Sequence, residues 1–215
     1  MRVCRGVLVA IMVMTLLFVS CSDNVDESDM YTFTGKTVVD VLNEKPEYSY
    51  YVAILNKVRF SEKTQSTAAQ LLSTRGNYTV FAPNNNAIQQ YLDSINNTTG
   101  YDIDQISDSL ALSIVRNSII DSGDNNAFFS TDFISGVLDQ TNLDDRFITV
   151  GFEAGEASSV IFLNNKSRVL ARDLEASNGV VHTIDRVLDF SNSNLAELIK
   201  QTPNLQIFGQ LLTLT

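Results

Sequence analysis

Tryptophan is absent from this 215-residue chain, histidine occurs once and proline three times. The two cysteines, Cys4 and Cys21, both lie near the start. Everything after residue 21 therefore has no disulfide framework and no thiolate metal site. His182, the single histidine, would have to serve any Ser-His-Asp or Cys-His arrangement and any His-containing metal site. Basic residues are scarce: 15 Lys and Arg stand against 25 Asp and Glu, a net charge of −10. Removing Arg2 and Arg5, which lie in the leader described below, leaves 13 against 25, or −12. A surface this acidic repels phosphate backbones, which argues against nucleic acid as a partner. No Gly-rich phosphate loop, Gly-x-Ser-x-Gly elbow, basic patch or heptad run is present. What remains is an ordinary globular balance, 44% hydrophobic and 19% charged. A domain of about 150 residues buries roughly 70% of its unfolded surface and needs no disulfide.

Residues 1–20 have the shape of an export signal. Arg2 and Arg5 form a positive start, and Val7 to Val19 is apolar apart from Thr15. Those 13 residues are too few to cross a bilayer, which takes about 20. Leu17-Phe18-Val19-Ser20-Cys21 resembles the lipobox of bacterial lipoproteins, although Phe18 stands where that pattern favours Leu. The resemblance implies cleavage before Cys21 and lipidation of its sulfur. More than one acyl chain, at roughly 0.8 kcal/mol per buried CH₂, makes such an anchor stable. The expected location is the outer membrane or cell surface of a Gram-negative bacterium. Ser22-Asp-Asn-Val-Asp-Glu-Ser28 is polar and acidic, so residues 21–35 read as a solvated tether.

An internal repeat organises the rest. Val38-Val39-Asp40-Val41-Leu42 precedes Pro46, and Leu195-Ala196-Glu197-Leu198-Ile199 precedes Pro203. After the prolines, Tyr48, Tyr50, Tyr51, Ile54 and Leu55 match Leu205, Ile207, Phe208, Leu211 and Leu212. Each stretch reads as a short helix stopped by proline and followed by an amphipathic helix. One unit then spans residues 36–190, and residues 191–215 open a second, incomplete one.

Within the unit, Tyr78–Ala82 reads as a strand ended by Pro83. Asn84 caps a helix expected to bury Ala87, Ile88, Tyr91, Leu92 and Ile95. A second helix carries Ile106, Leu110, Ile114 and Val115. Later segments alternate: Phe147–Phe152 with Ile148, Val150 and Phe152 on one side, then Val160–Leu163, Val169–Leu174 and Val180–Leu188. Helices first and strands late give an α+β fold class.

Two segments carry a family resemblance. Tyr78-Thr79-Val80-Phe81-Ala82-Pro83-Asn84, continuing to Ile88, resembles the first signature of fasciclin domains. Asn178-Gly179-Val180-Val181-His182-Thr183-Ile184-Asp185, continuing to Leu188, resembles the second. The resemblance implies N-terminal helices packed on a twisted antiparallel or mixed β-sandwich. It also implies adhesion through surfaces, with no active site. The family commonly occurs in tandem, in keeping with the repeat. Integrin-binding members carry a Tyr-His pair in mid-domain, where this chain has Arg116-Asn117, which puts integrin-type recognition in doubt.

His182 lies inside an apolar strand with no second histidine or cysteine, so a hydrogen-bonded core histidine is favoured over a catalytic or metal-binding one. Asp173, Glu175 and Asp185 could in principle supply a hydrolase's carboxylate pair, but nothing in the sequence brings two of them together. The expectation is therefore a non-catalytic module without metal or cofactor. It would sit at a membrane through lipid on Cys21 and meet an extracellular protein or glycan. The alternative is a surface lipoprotein that captures a glycan or other nutrient for an outer-membrane uptake system. Lack of tryptophan disfavours that alternative, because sugar sites use aromatic platforms.

Overall fold

The structure, a computed structural model, describes residues 35–60, 66–153 and 160–189. The leader, Cys21, the acidic tether and the second repeat copy lie outside the described residues.

Thr37 starts the first helix, α1 (Val38–Asn43). Its hydroxyl accepts from the Asp40 N–H, and the Asp40 carboxylate accepts from the Thr37 N–H at 2.8 Å. This reciprocal cap satisfies two of the orphan donors at a helix start. Pro46 then opens a single 3₁₀ turn, Pro46–Tyr48, because a missing N–H costs nothing at a helix start. Helix α2 (Ser49–Lys57) follows and buries Tyr51, Ile54 and Leu55. The helix–proline–helix expectation thus holds for the first repeat copy. A short helix absent from the sequence reading, α3 (Ala68–Leu72), is capped by Thr67 and Gln70 in the same reciprocal way.

Strand β1 (Tyr78–Pro83) runs into α4 (Asn85–Asn96), where the Asn84 side chain accepts from the Ala87 N–H at 2.8 Å. Helix α5 (Asp108–Ser118) starts two residues after Ile106, which is buried just ahead of it. At Ile119 the chain switches directly into strand β2 (Ile119–Asp121). The apolar run 112–120, read as one stretch, is therefore part helix and part strand. Strands β3 (Gly136–Thr141), β4 (Phe147–Glu153), β5 (Val160–Leu163), β6 (Ser167–Ala176) and β7 (Gly179–Ile184) complete the fold.

The strands form one seven-stranded sheet in the order β2-β1-β7-β6-β5-β4-β3. Among the described residues only β1 and β7 pair in parallel, and every other strand pair is antiparallel. All six residues of β1 are buried, as expected for a strand covered on both faces. Val80, Ala82 and Val181 face a cluster built mainly by the helices. Phe81, Ile120 and Ile184 face a second cluster with Leu138, Ile148, Val150, Ile161 and Leu163. Residues of β1 and β4 are thus packed together although three strands separate them, so the sheet curls around this second core. The Leu143 N–H, just past β3, donates to the Ile119 carbonyl of β2 at 2.9 Å, which draws the two sheet edges together. One curled mixed sheet, with helices on its outer side, is the form the α+β expectation takes.

Two burial expectations fail. Ile95 is 43% exposed at the last turn of α4, and Phe152 is 43% exposed near the end of β4.

Candidate functional site: the paired signature strands

The two sequence signatures, about a hundred residues apart, lie side by side. Their register pairs Tyr78 with Gly179, Thr79 with Val180, Val80 with Val181, Phe81 with His182, Ala82 with Thr183 and Pro83 with Ile184. Gly179 is required by close approach. A Cβ there would stand 2.1 Å from the Tyr78 carbonyl oxygen, with φ at +155°.

Asn178, in the turn between β6 and β7, is buried and bonds in three directions. Its side-chain oxygen accepts from the Val38 N–H at 2.8 Å, and its amide donates to the Leu72 and Thr74 carbonyls, each at 2.7 Å. Its own carbonyl accepts from the Tyr78 N–H at 3.0 Å. One side chain therefore satisfies an orphan donor at the start of α1 and carbonyls at and just beyond the end of α3. At the opposite end of β7, the Asp185 carboxylate accepts from the Arg168 N–H at 2.7 Å, which fixes the strand's exit against β6.

His182 is fully buried between aromatic rings. Phe81 stacks on it at 5.5 Å between centroids, and Phe133 lies tilted at 5.1 Å. Its Nε2 lies 2.8 Å from the Phe128 carbonyl, and its Nδ1 accepts from the Asp173 N–H at 3.3 Å. That pairing fits a neutral imidazole protonated at Nε2. Burial pushes its pKa below the usual histidine value, against the opposing pull of the Phe128 carbonyl and the Asp173 charge. Thr79 completes the clamp, because its hydroxyl accepts from the Phe128 N–H at 2.8 Å. Both polar groups of one loop residue are thus held by one residue from each signature.

The Asp173 N–H reaches His182 through a β-bulge. Ala171 pairs with Thr183 and Leu174 with Val181, so Arg172 and Asp173 together stand opposite His182. Asp173 sits at φ +60°, a conformation Asp tolerates better than most residues. Its carboxylate accepts from the Ser130 N–H at 2.7 Å and from the Ser130 hydroxyl. Burial pushes the Asp173 carboxyl up, but the Ser130 bonds and the neighbouring His182 and Arg172 outweigh it, and its pKa lies below the ordinary value.

The three acids weighed as a hydrolytic pair are thus differently placed. Asp173 is bound to Ser130, Asp185 to the Arg168 backbone, and Glu175 is exposed on β6. Among the described residues, no group of three or more His, Cys, Asp or Glu could hold a metal ion. No described helix is long and apolar enough to cross a membrane. Asn117, at the place of the integrin-type histidine, is buried, and its carbonyl accepts from the Asn142 amide at 3.2 Å. Arg116 beside it faces Asp144 at 3.9 Å. Sequence reasoning found Asn178 and His182 but not their partners. Phe128, Ser130 and Asp173 belong to a loop and a bulge, neither of which has a periodic signal.

A helical layer against a curled mixed sheet, locked by a parallel pair of signature strands around a buried histidine, defines a small α+β module. The fasciclin domain family model matches residues 46–190, and the chain belongs to that family. Among solved structures, the fold is similar to that of a FAS1 domain pair from the insect cell adhesion molecule fasciclin I. The likeness has a TM-score of 0.54 at 20% identity, over 72% of this chain and 51% of that one. The chain thus spans about half the length of that structure, and the likeness bears on the fold alone. Comparison with curated proteins finds no match.

Proposed function

We propose that the domain is a non-catalytic adhesion module, held at a membrane surface by lipid on Cys21 and engaging an extracellular partner through its exterior. The observation that carries this reading is how fully the signature residues are spent on the fold. Asn178, Gly179, Thr79 and His182 each satisfy or admit a backbone group of another element. The imidazole, which a catalytic reading would need free, has both nitrogens engaged and no exposed surface. What such a domain can offer a partner is its outer surface. The family's occurrence in adhesion proteins supports the same reading by analogy of fold, which bears on the class of function and not on the partner.

Two experiments test it. Cells displaying the full chain should adhere to partner cells or matrix more than cells without it; equal adhesion would count against the reading. The Cys21→Ser variant should leave the membrane fraction for the soluble one. Undiminished pelleting with membranes would sink the lipid anchor and leave the adhesion reading standing.

A further inference from the structure

A cavity of about 500 Å³ lies beyond the Pro83 end of the signature strands. One wall is a single face of α4. Ala87, Gln90, Tyr91, Ser94 and Ile95 recur at the three- and four-residue spacing that puts side chains on one side of a helix. Ile95, expected in the core, is instead partly exposed on this wall. Across from it stand the β5–β6 turn, with Lys166, and the segment after β7, with Arg186, Val187 and Asp189.

Both cations sit on rigid backbone. Asn164 and Asn165 have φ of +51° and +54°, a pair of left-handed residues that suits a two-residue hairpin turn. The Lys166 N–H closes that turn on the Leu163 carbonyl at 3.1 Å. The Asn164 side chain accepts from the Thr149 N–H at 2.9 Å and fixes the turn to β4. Buried Ser167 donates its hydroxyl to the Arg186 carbonyl at 2.7 Å, holding the opposing segment beside the turn. Both cationic side chains are exposed, and among the described residues neither makes an ion pair. Asp189 also lines the groove, where burial and its negative charge push the Tyr91 hydroxyl up to about 12, so the lining carries two cations against one anion.

In a chain of net charge −10, a lining with two cations and one anion, formally +1, is a local reversal of sign. Attraction between charges depends strongly on such local placement. The cavity volume falls in the range of small-ligand sites. Gln90 and Ser94 offer polar groups for hydroxyls, Tyr91 and Ile95 offer apolar surface for a ring face, and an Arg fork matches a carboxylate or sulfate. We infer that this groove binds an acidic sugar unit, a ring bearing a carboxylate or a sulfate, with Lys166 and Arg186 holding the anion and the α4 face holding the ring. The inference rests on the adhesion reading only in naming the chemistry of the partner.

The test is calorimetric titration of the full chain with oligogalacturonate, a heparin-derived oligosaccharide, neutral dextran, polyglutamate and inorganic sulfate. Binding of one or both acidic sugars tighter than about 1 mM, with dextran, polyglutamate and sulfate inert, supports the inference. The two acidic sugars tell carboxylate from sulfate. Lys166→Ala combined with Arg186→Ala should weaken binding at least tenfold. Arg172→Ala, an exposed cation outside the groove, should leave it unchanged. Equal loss in Arg172→Ala would mean bulk electrostatics and overturn the site. Equal binding of dextran or polyglutamate would overturn the ligand class, and absence of binding would overturn the whole inference. Cell adhesion that persists in the Lys166/Arg186 double variant would overturn the groove as the adhesive site and leave the adhesion reading intact.

Discussion

At the scale of single residues, the fold depends on a few polar side chains buried with every bond made. Asn178→Ala strips partners from the Val38 N–H and from the Leu72 and Thr74 carbonyls, three groups well away in sequence. Orphaning buried polar groups costs about 1–3 kcal/mol each before relaxation, so this variant should lose about 2–5 kcal/mol in urea unfolding. Gly179→Ala should be worse in kind. Its methyl group would overlap the Tyr78 backbone, and the β1–β7 pairing must shift or fail. His182 sets the response to acid. Its folded pKa lies below the ordinary histidine value of 6.5, so the unfolded chain takes up a proton that the folded chain refuses. The stability this contributes is fully present above about pH 6.5 and is lost as pH falls through the depressed folded value. Asp40, Asp93 and Asp173 are also lowered, from 3.8, chiefly by hydrogen bonds for the first two and by the Ser130 bonds against burial for the third. Their contribution is present above that value and fades only at lower pH. Melting temperature should therefore begin to drop below pH 6.5. His182→Gln should flatten the profile from there down to about pH 4.5, within the histidine range and above the carboxylates. A wild-type melting temperature level across that interval would contradict the histidine assignment.

At the scale of elements, the bulge in β6 is the informative feature. It places Arg172 and Asp173 opposite one residue and turns the Asp173 N–H towards His182. If the left-handed backbone at Asp173 is intrinsic to the bulge, Asp173→Gly should be less destabilising than Asp173→Ala by about 1 kcal/mol. Both lose the Ser130 bonds, so the difference isolates the backbone, and urea denaturation of the two variants measures it. The reverse order would mean that β6 is an ordinary strand in solution. A second irregularity, between Val169 and Ala171, leaves Leu170 without a ladder partner and about half exposed. Such features explain what the sequence could and could not reveal. Helices α1, α2 and α4 were legible from apolar spacing, from Pro46 between the first two, and from Pro83 and the Asn84 cap ahead of the third. β1 and β7 were legible as unbroken β-branched and aromatic runs. Strands β2 and β3 were not: β2 is three residues continuing a helical apolar run, and β3 reads Gly-Val-Leu-Asp-Gln-Thr with a single buried residue. The site was half legible in the same way. His182 and Asn178 lie in the signature, whereas Phe128 and Ser130 contribute mainly backbone groups, whose placement no residue type announces.

At the scale of the whole molecule, the two ends of the domain are set apart. Gly35 approaches Ser177 at the turn where β7 begins, and the chain leaves past Leu188 beyond the other end of that strand. Six residues of strand separate these points by roughly 20 Å, at about 3.3 Å per residue. The groove of Lys166 and Arg186 lies near the Leu188 end. This geometry suits a module whose fold is internal business and whose work is done on its surface. The most direct measurement compares the adhesion of cells displaying the full chain with that of cells displaying His182→Gln. Surface levels should be matched, at a temperature where both domains are folded by circular dichroism. The account predicts equal adhesion, because His182 supports the loop at Phe128 and touches no partner. Loss of adhesion in a folded His182→Gln domain would contradict it and make the signature strands themselves the working site.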